Sequence, residues 1–310
     1  MRATRATRRD DPERLRQGLL PELLALHPQV PPVQDGRWQR LTKLGLDAQR
    51  NLFAVLGTPE ERVARLGCIL NNSQSQFRED LLLLPLLLGL ALGRAGRFVE
   101  AGALDGLDIS NTLVLERCFG WTGLLIEASP SNFAQLRRSG RSATMVHAAL
   151  CADGTVVNVA DGAATNGLRQ RSAGGAEAHV VPQGGDGAVS VPCRGLGRMQ
   201  AELGLPAAPD FLSLDVEGSE AAALATVDAS GIGVVLVEMH GRRGASQEAS
   251  RLNAEGVHER LTSAGLQRCS AFRIYWSAVY LRAGLCPRSP RMRVEKWPCN
   301  PTRCNTTQTA

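Results

Sequence analysis

The chain has 310 residues, of which 44% are hydrophobic and only 4% aromatic, and its formal net charge is +5. This length suits one α/β domain with extensions, and the shortage of aromatic residues argues against an all-β sandwich and against stacking surfaces for single-stranded nucleic acid. Basic residues are scattered except near the two ends of the chain, so we expect no nucleic-acid partner.

Residues 1–70 are predicted to form a helical, partly disordered extension. The arginines at its start are followed by the acidic segment DDPER rather than by an apolar run, so no signal peptide is expected. The apolar segment 81–92 is too short to span a bilayer and contains Pro85 and Gly89. We interpret it as a buried helix and expect no transmembrane segment. A cytoplasmic location is the first expectation, with a secretory-pathway or organellar location as the alternative.

From Arg97 onward, short apolar strands alternate with helices. The predicted helices include DISNTLVLERCFG, opened by Asp108 and Ser110 and closed by Gly120, and SPSNFAQLRRSG, capped by Ser129. This alternation indicates a mostly parallel sheet covered by helices, and the last two predicted strands, LQRCSAF and WSAVYLRA, indicate an antiparallel edge strand. Residues 161–187 are rich in Gly and Ala, and we interpret them as a mobile loop over the site or a disordered insertion.

The eight cysteines contain no C-x-x-C pair, so a zinc or thioredoxin-like site has little support. We interpret Cys118 and Cys151 as small core residues. Three others, Cys286, Cys299 and Cys304, lie in a Pro/Arg-rich tail and could form a disulfide in a secretory lumen. The sequons at Asn71 and Asn305 would also be usable there. These signals leave the compartment open.

Acidic residues follow four of the five predicted parallel strands, where ligands bind in open α/β sheets. The first strand runs into the turn sequence EAGALDG, in which Leu104 replaces the middle glycine of a dinucleotide fingerprint. This argues against NAD. Glu127, 25 residues after Gly102, is placed to accept hydrogen bonds from two ribose hydroxyls. A ligand with a ribose, an amino group and no phosphate fits, and S-adenosylmethionine is such a ligand.

At these residues the chain resembles the FkbM family of class I S-adenosylmethionine-dependent methyltransferases. The segment 98–136 is most similar to the subgroup that includes the animal Star protein, which is associated with endoplasmic reticulum, Golgi and endosomal trafficking. The resemblance extends over roughly residues 70–285 and is carried by these segments: SQSQFREDLLL, FVEAGALDGLDISNTLVLERCFGWTGLLIEASPSNFAQL, HAALCADGTV, VPCRGL, DFLSLDVEGSE and VVLVEMH.

The resemblance implies a Rossmann-like, mostly parallel seven-stranded sheet in a methyltransferase domain at 71–285, followed by a disordered or cysteine-containing tail at 286–310. It also implies S-adenosyl-L-methionine as the cofactor. Carried over position by position, it implies cofactor contacts from Glu100, Gly102, Asp105, Gly106, Ser110, Asn111, Glu127 and Asp215.

Asp215 and His240 are the candidate catalytic bases, and no metal site is expected. Asp215 and Glu217 would fit equally well as acids in the first turn of a helix, and His240 as a structural residue. We expect O-methylation of a hydroxyl on a sugar-like or small-metabolite acceptor, which includes a glycan. The alternative is a non-catalytic, Star-like trafficking factor that retains the fold.

Overall fold

A computed structural model of the chain describes residues 37–91, 94–160, 188–239, 246–287 and 292–293. The loop expected at 161–187 and the candidate base His240 lie outside these residues. The helices are α1 Trp38–Thr42, α2 Leu46–Ala54, α3 Pro59–Asn72, α4 Glu79–Ala91, α5 Leu113–Phe119, α6 Pro130–Leu136, α7 Leu196–Glu202, α8 Glu220–Leu224 and α9 Gln247–Ser263. The strands are β1 Arg97–Ala101, β2 Thr122–Glu127, β3 Thr144–His147, β4 Ala149–Leu150, β5 Val156–Ala160, β6 Ala188–Arg194, β7 Phe211–Leu214, β8 Val234–Glu238, β9 Leu266–Arg268, β10 Phe272–Arg273, β11 Ser277–Arg282 and β12 Met292–Arg293.

Seven strands form the central sheet in the order β3-β2-β1-β7-β8-β11-β9. The first five are parallel, and β11 runs antiparallel to both β8 and β9. The predicted antiparallel strand is therefore present, one position inside the edge strand β9. The strand order reverses between β1 and β7, and this is where open α/β sheets bind ligands. A smaller sheet, β4-β6-β5, lies beside the carboxyl end of the main sheet, and β10 pairs with β12.

Alternating side chains of the sheet belong to two separate cores. Phe98, Leu125 and Phe211 pack in one core with residues from α1–α6. Their neighbours, such as Val99 and Leu212, pack in the other with residues from α7, α8 and α9. Because successive strand residues point to opposite faces, strands that are apolar on both faces require helices on both faces. The prediction of a helix-covered, mostly parallel sheet is confirmed.

The described part of the N-terminal region is helical and packs on the same core as the sheet. Leu41, Leu52 and Leu66, from α1, α2 and α3, are fully buried in the core that contains Phe98. The apolar segment after residue 80 is helix α4, as predicted, and five of its leucines are buried, namely Leu81, Leu82, Leu83, Leu84 and Leu87. The division into domains at residues 70 and 285 stays a prediction. Within the described residues, no helix has the length and apolar character needed to cross a membrane.

The described cysteines are all paired, in the bonds Cys68–Cys118, Cys151–Cys193 and Cys269–Cys286. The interpretation of Cys118 and Cys151 as simple core residues is therefore wrong. Their partners lie 50 and 42 residues away in sequence and come close only when helices and strands pack. Sequence spacing alone cannot reveal such connectivity. The cysteine expected to pair within the tail, Cys286, instead bonds to the segment after β9.

Candidate active site

A cavity of about 210 Å³ lies at the carboxyl ends of β1, β2 and β7, where the strand order reverses. Its walls combine apolar side chains with carboxylates, and they bring together residues from three strand ends that are far apart in sequence. The residues that matter for binding chemistry are Gly102, Leu104, Glu127, Leu150, Val157, Val159, Asp215 and Glu217. Apolar walls with a few placed polar groups are typical of small-molecule sites.

Gly102 allows the ends of β1 and β7 to approach each other closely. Its φ angle is +83°, and a Cβ atom built on it would lie 1.7 Å from the carbonyl oxygen of Asp215. No side chain fits at that distance, and the left-handed conformation itself favours glycine. The resemblance implied that Gly102 contacts the cofactor. In the structure the approaching group is the backbone of Asp215, and Gly102 also lines the cavity.

Glu127 ends β2 and lines the cavity with a carboxylate held by backbone amides. One carboxylate oxygen accepts a hydrogen bond from Leu104 N at 2.8 Å and the other from Ser129 N at 2.7 Å. Burial raises the pKa of Glu127 to about 7, although these hydrogen bonds act to lower it. Each carboxylate oxygen can accept more than one hydrogen bond, so the fixed carboxylate can still accept from ligand hydroxyls.

Glu100 is only 4% exposed and does not line the cavity. Its carboxylate accepts hydrogen bonds from the hydroxyls of Ser110 and Thr112 at 2.8 and 2.6 Å and from Asn111 N at 2.7 Å. It therefore fixes the segment that leads from the glycine turn into α5. Direct cofactor contacts from Glu100 and Ser110 stay predictions.

Arg141, which was not predicted as a site residue, binds the same segment between the glycine turn and α5. Its side chain is fully buried and donates to Gly106 O, to the hydroxyls of Ser110 and Thr112, and to the Glu116 carboxylate, over distances of 2.7 to 3.1 Å. A buried cation with this many acceptors fixes the loop. Nothing local in the sequence distinguishes Arg141 from the other arginines.

The two other predicted contacts of this loop have structural partners. Asp105 accepts hydrogen bonds from the backbone amides of Leu107 and Asp108, both at 2.8 Å. Gly106 has φ +79°, and a side chain there would collide with Leu136. Neither residue lines the cavity, so their contact with the cofactor stays a prediction. The helix α5 begins at Leu113 rather than after Asp108 or Ser110, because the bonds to Glu100 and Arg141 hold residues 106–112 in a loop.

A second cavity of about 20 Å³ adjoins the first at Asp215 and is lined mainly by polar residues. They include Gln76, Glu79, Asn111, Ser213, Asp215, Glu238 and Ser277. This volume holds about one water-sized group. The aromatic residues Phe77, Tyr275 and Trp276, whose ring centroids are 5.0 to 5.2 Å apart, are sequence neighbours of Gln76 and Ser277 at its wall.

Carboxylate oxygens of Asp215, Glu217 and Glu238 lie within 4.8 Å of one another, an arrangement that could hold a metal ion. The expected absence of a metal stays a prediction. Burial and the nearby Asp215 carboxylate raise the pKa of Glu238 far above its usual range. Burial also raises the pKa of Glu79 to about 7. Glu79, Glu217 and Glu238 were not predicted as site residues, although Glu217 and Glu238 follow strands as the predicted acids do.

The disulfide Cys151–Cys193 forms part of the wall of the larger cavity. Cys151 lines the cavity, and Cys193 belongs to β6, which pairs with both β4 and β5. Two valines of β5, Val157 and Val159, complete this apolar wall. The bond therefore ties the small sheet to the site.

A mostly parallel sheet in this strand order, with a glycine turn after β1 and an acid at the end of β2, is the fold of class I methyltransferases. A family model described as the methyltransferase FkbM domain matches residues 100–265, which is more than half of the chain. The chain therefore belongs to the FkbM methyltransferase family, and S-adenosylmethionine is its cofactor. The cavity fits this cofactor, because it combines apolar walls with the Glu127 carboxylate.

Several solved methyltransferase structures are similar at low identity. The FkbM methyltransferase of Methylobacillus flagellatus KT is 12% identical over 72% of this chain and 60% of that chain, with a TM-score of 0.38. The S-adenosylhomocysteine-bound methyltransferase PaMTH1 of Podospora anserina is 8% identical over 91% and 99%, with a TM-score of 0.36. A putative O-methyltransferase from Klebsiella pneumoniae is 12% identical over 86% and 99%, with a TM-score of 0.36. No curated protein matches the chain.

Proposed function

We propose that the protein transfers a methyl group to a hydroxyl of a sugar-like or small-metabolite acceptor, which includes a glycan. The observation that carries this proposal is the position of Asp215, which lines both the larger cavity and the polar one beside it. When bound, S-adenosylmethionine supplies an electrophilic methyl group on a sulfonium ion. A hydroxyl oxygen that gains this methyl loses its proton, and a nearby carboxylate is suited to receive it.

Asp215 is the proposed base. Burial and the neighbouring Asp215 carboxylate raise the pKa of Glu238, so Glu238 is the acid of this pair that favours the protonated form, and Asp215 is the one suited to accept the proton of the acceptor hydroxyl. The small cavity, whose polar lining includes Ser277 and Gln76, has room for one hydroxyl of an acceptor. His240, the other predicted base, follows β8 directly in sequence but lies outside the described residues, so its role stays a prediction.

Glu127 is proposed to accept hydrogen bonds from the ribose hydroxyls of the cofactor. Leu104, Leu150 and Val157 are proposed to provide the apolar surface for the adenine ring of the cofactor. The roles of Glu100, Asp105, Gly106 and Ser110 are better supported as positioning than as contact, because none of them lines the cavity. Asn111 lines the smaller cavity and donates to the Ser213 hydroxyl at 3.0 Å. It is therefore placed to contact the ligand near the proposed site of transfer.

A Star-like trafficking factor without catalysis is the second candidate, and the disulfides are compatible with it. Three disulfides among the described cysteines are typical of proteins of oxidising compartments and rare in the cytosol. We therefore propose the secretory-pathway location over the cytoplasmic one that the sequence first suggested. This location suits a glycan methyltransferase as well as a trafficking factor, so activity must decide between them.

Incubation of the purified protein with radiolabelled S-adenosylmethionine and a small-molecule and glycan extract of its own cells tests the proposal. We expect label transfer by the unmodified chain. The Asp215→Asn variant should lower turnover about 100-fold, as loss of a general base does, and largely keep its cofactor affinity. Full turnover in Asp215→Asn would refute its role. A protein that binds the cofactor but transfers no label would favour the trafficking factor.

A further inference from the structure

One sequence motif has no part in the methyltransferase site. Asn71, Asn72 and Ser73 form the sequon for N-linked glycosylation at the end of helix α3. A sequon alone is weak evidence, because the pattern is short and occurs by chance. Two structural observations, the disulfides and the exposure of Asn71, give it weight.

The disulfides support the secretory-pathway location proposed above, where glycosylation also takes place. The bond nearest to the sequon, Cys68–Cys118, joins α3 to α5 only three residues before Asn71. Forming each bond removes two electrons and two protons from a pair of thiols, which requires a disulfide donor or thiol oxidase such as secretory lumens contain. The same lumen would expose the sequon to the glycosylation machinery.

The three residues of the sequon differ in their surroundings. Asn71 is exposed to solvent, whereas the Asn72 side chain donates to Cys68 O at 2.8 Å and accepts from Arg117 at 3.2 Å. Ser73 is fully buried, and its hydroxyl accepts from Arg40 Nε at 2.8 Å. The glycosylation machinery must therefore recognise the Ser73 hydroxyl on the unfolded chain, before Ser73 is buried. A glycan on Asn71 would then extend into solvent without disturbing the hydrogen bonds of Asn72 and Ser73.

We propose that Asn71 carries an N-linked glycan, added in the compartment where the three disulfides form. The side-chain nitrogen of Asn71 gains a bond to the anomeric carbon of a lipid-diphosphate-linked oligosaccharide and loses one proton. The lipid diphosphate departs with the electron pair of the broken carbon–oxygen bond. This modification is independent of the methyl transfer proposed above.

The full-length chain, isolated from its own cells, gives the direct test. We expect peptide N-glycosidase to increase its electrophoretic mobility and to convert Asn71 to aspartate in the mass spectrum of the tryptic peptide. Non-reducing peptide mapping should show the three disulfides. Unmodified Asn71 would overturn the proposal, and if all cysteines were also free thiols, the compartment assignment would fall with it.

Matched variants expressed in the same cells separate this site from the second sequon at Asn305 and from misfolding. Asn71→Gln and Ser73→Ala should each lose the glycan at Asn71, whereas Ser73→Thr and Asn72→Gln should keep it. Since Ser73→Ala also removes the hydrogen bond from Arg40, Asn71→Gln is the decisive variant. If the enzyme-sensitive mobility shift is unchanged in Asn71→Gln, the glycan lies elsewhere and the proposal is wrong.

Discussion

At the scale of single residues, the contact between Gly102 and Asp215 joins the two strand ends that form the site. Gly102 has a left-handed conformation, and a Cβ atom built on it would lie 1.7 Å from the Asp215 carbonyl oxygen, so no side chain fits there. The same contact positions Asp215. Both the stability of the fold and the geometry of the proposed base therefore depend on Gly102.

The Gly102→Ala variant should therefore lose both stability and cofactor affinity. Gly140→Ala is its control, since Gly140 also has positive φ, +71°, but nothing lies within 4 Å of its missing Cβ. We expect Gly140→Ala to lower the free energy of unfolding by about 1 kcal/mol from backbone strain alone. Gly102→Ala should cost about 1–3 kcal/mol more because of overpacking. Urea unfolding measures the free energy of unfolding of each variant. Equal losses in the two variants would show that the contact between Gly102 and Asp215 does not matter for stability.

Glu127 makes cofactor binding depend on pH. Burial raises the pKa of Glu127 to about 7, and its ionised carboxylate accepts hydrogen bonds from the ribose hydroxyls more strongly than its protonated form does. Affinity for S-adenosylhomocysteine should therefore rise with pH, by about tenfold between pH 6 and pH 8, and level off above. Calorimetry at several pH values measures this. In Glu127→Gln the affinity should be lower and nearly flat with pH, and an equally steep profile there would assign the titration to another group.

At the scale of elements, the loop between β1 and α5 is held by buried charges rather than by its own turn sequence. Glu100 binds it from β1, and Arg141 binds it from the segment between α6 and β3. Leu104 and Ile109 within the loop have positive φ angles of 51° and 55°. Such conformations are costly for residues other than glycine and persist when surrounding contacts impose them.

Removal of the Arg141 side chain should destabilise the protein strongly. Arg141→Ala would leave the buried Glu116 carboxylate without its cation, which typically costs about 3–5 kcal/mol. The control is Arg251→Ala, because the Arg251–Glu255 pair is 59% exposed on each side. Its loss should cost about 0.5 kcal/mol or less. Thermal and urea unfolding test the difference, and similar losses in both variants would contradict a role for the buried network.

At the scale of the whole molecule, the periodic and local features were predictable from sequence. The alternation of apolar strands and helices predicted the fold. The residue types at the helix ends predicted that Ser129 caps α6 and that Gly120 ends α5, where it has a left-handed conformation. The position of Glu127 and Asp215 at the cavity was predictable because parallel strands end at one edge of the sheet.

Features that depend on distant packing were not predictable. Arg141 reaches Ser110 across 31 residues, and the start of α5 depends on that contact. Cys118 and Cys151 find their partners 50 and 42 residues away. Glu79 reaches the polar cavity because α4 lies beside the end of the sheet, which no local pattern in its own segment indicates.

Calorimetric binding of S-adenosylhomocysteine to the unmodified protein and to Glu127→Ala tests the central claim most directly. We expect one site per chain in the unmodified protein and a loss of about 1.5–3 kcal/mol of binding free energy in Glu127→Ala, the range for a hydrogen bond to a charged group. Glu255→Ala, on the exposed face of α9, should bind as the unmodified protein does. No binding by the unmodified protein, or equal affinity in Glu127→Ala, would contradict the assignment of this cavity to the cofactor.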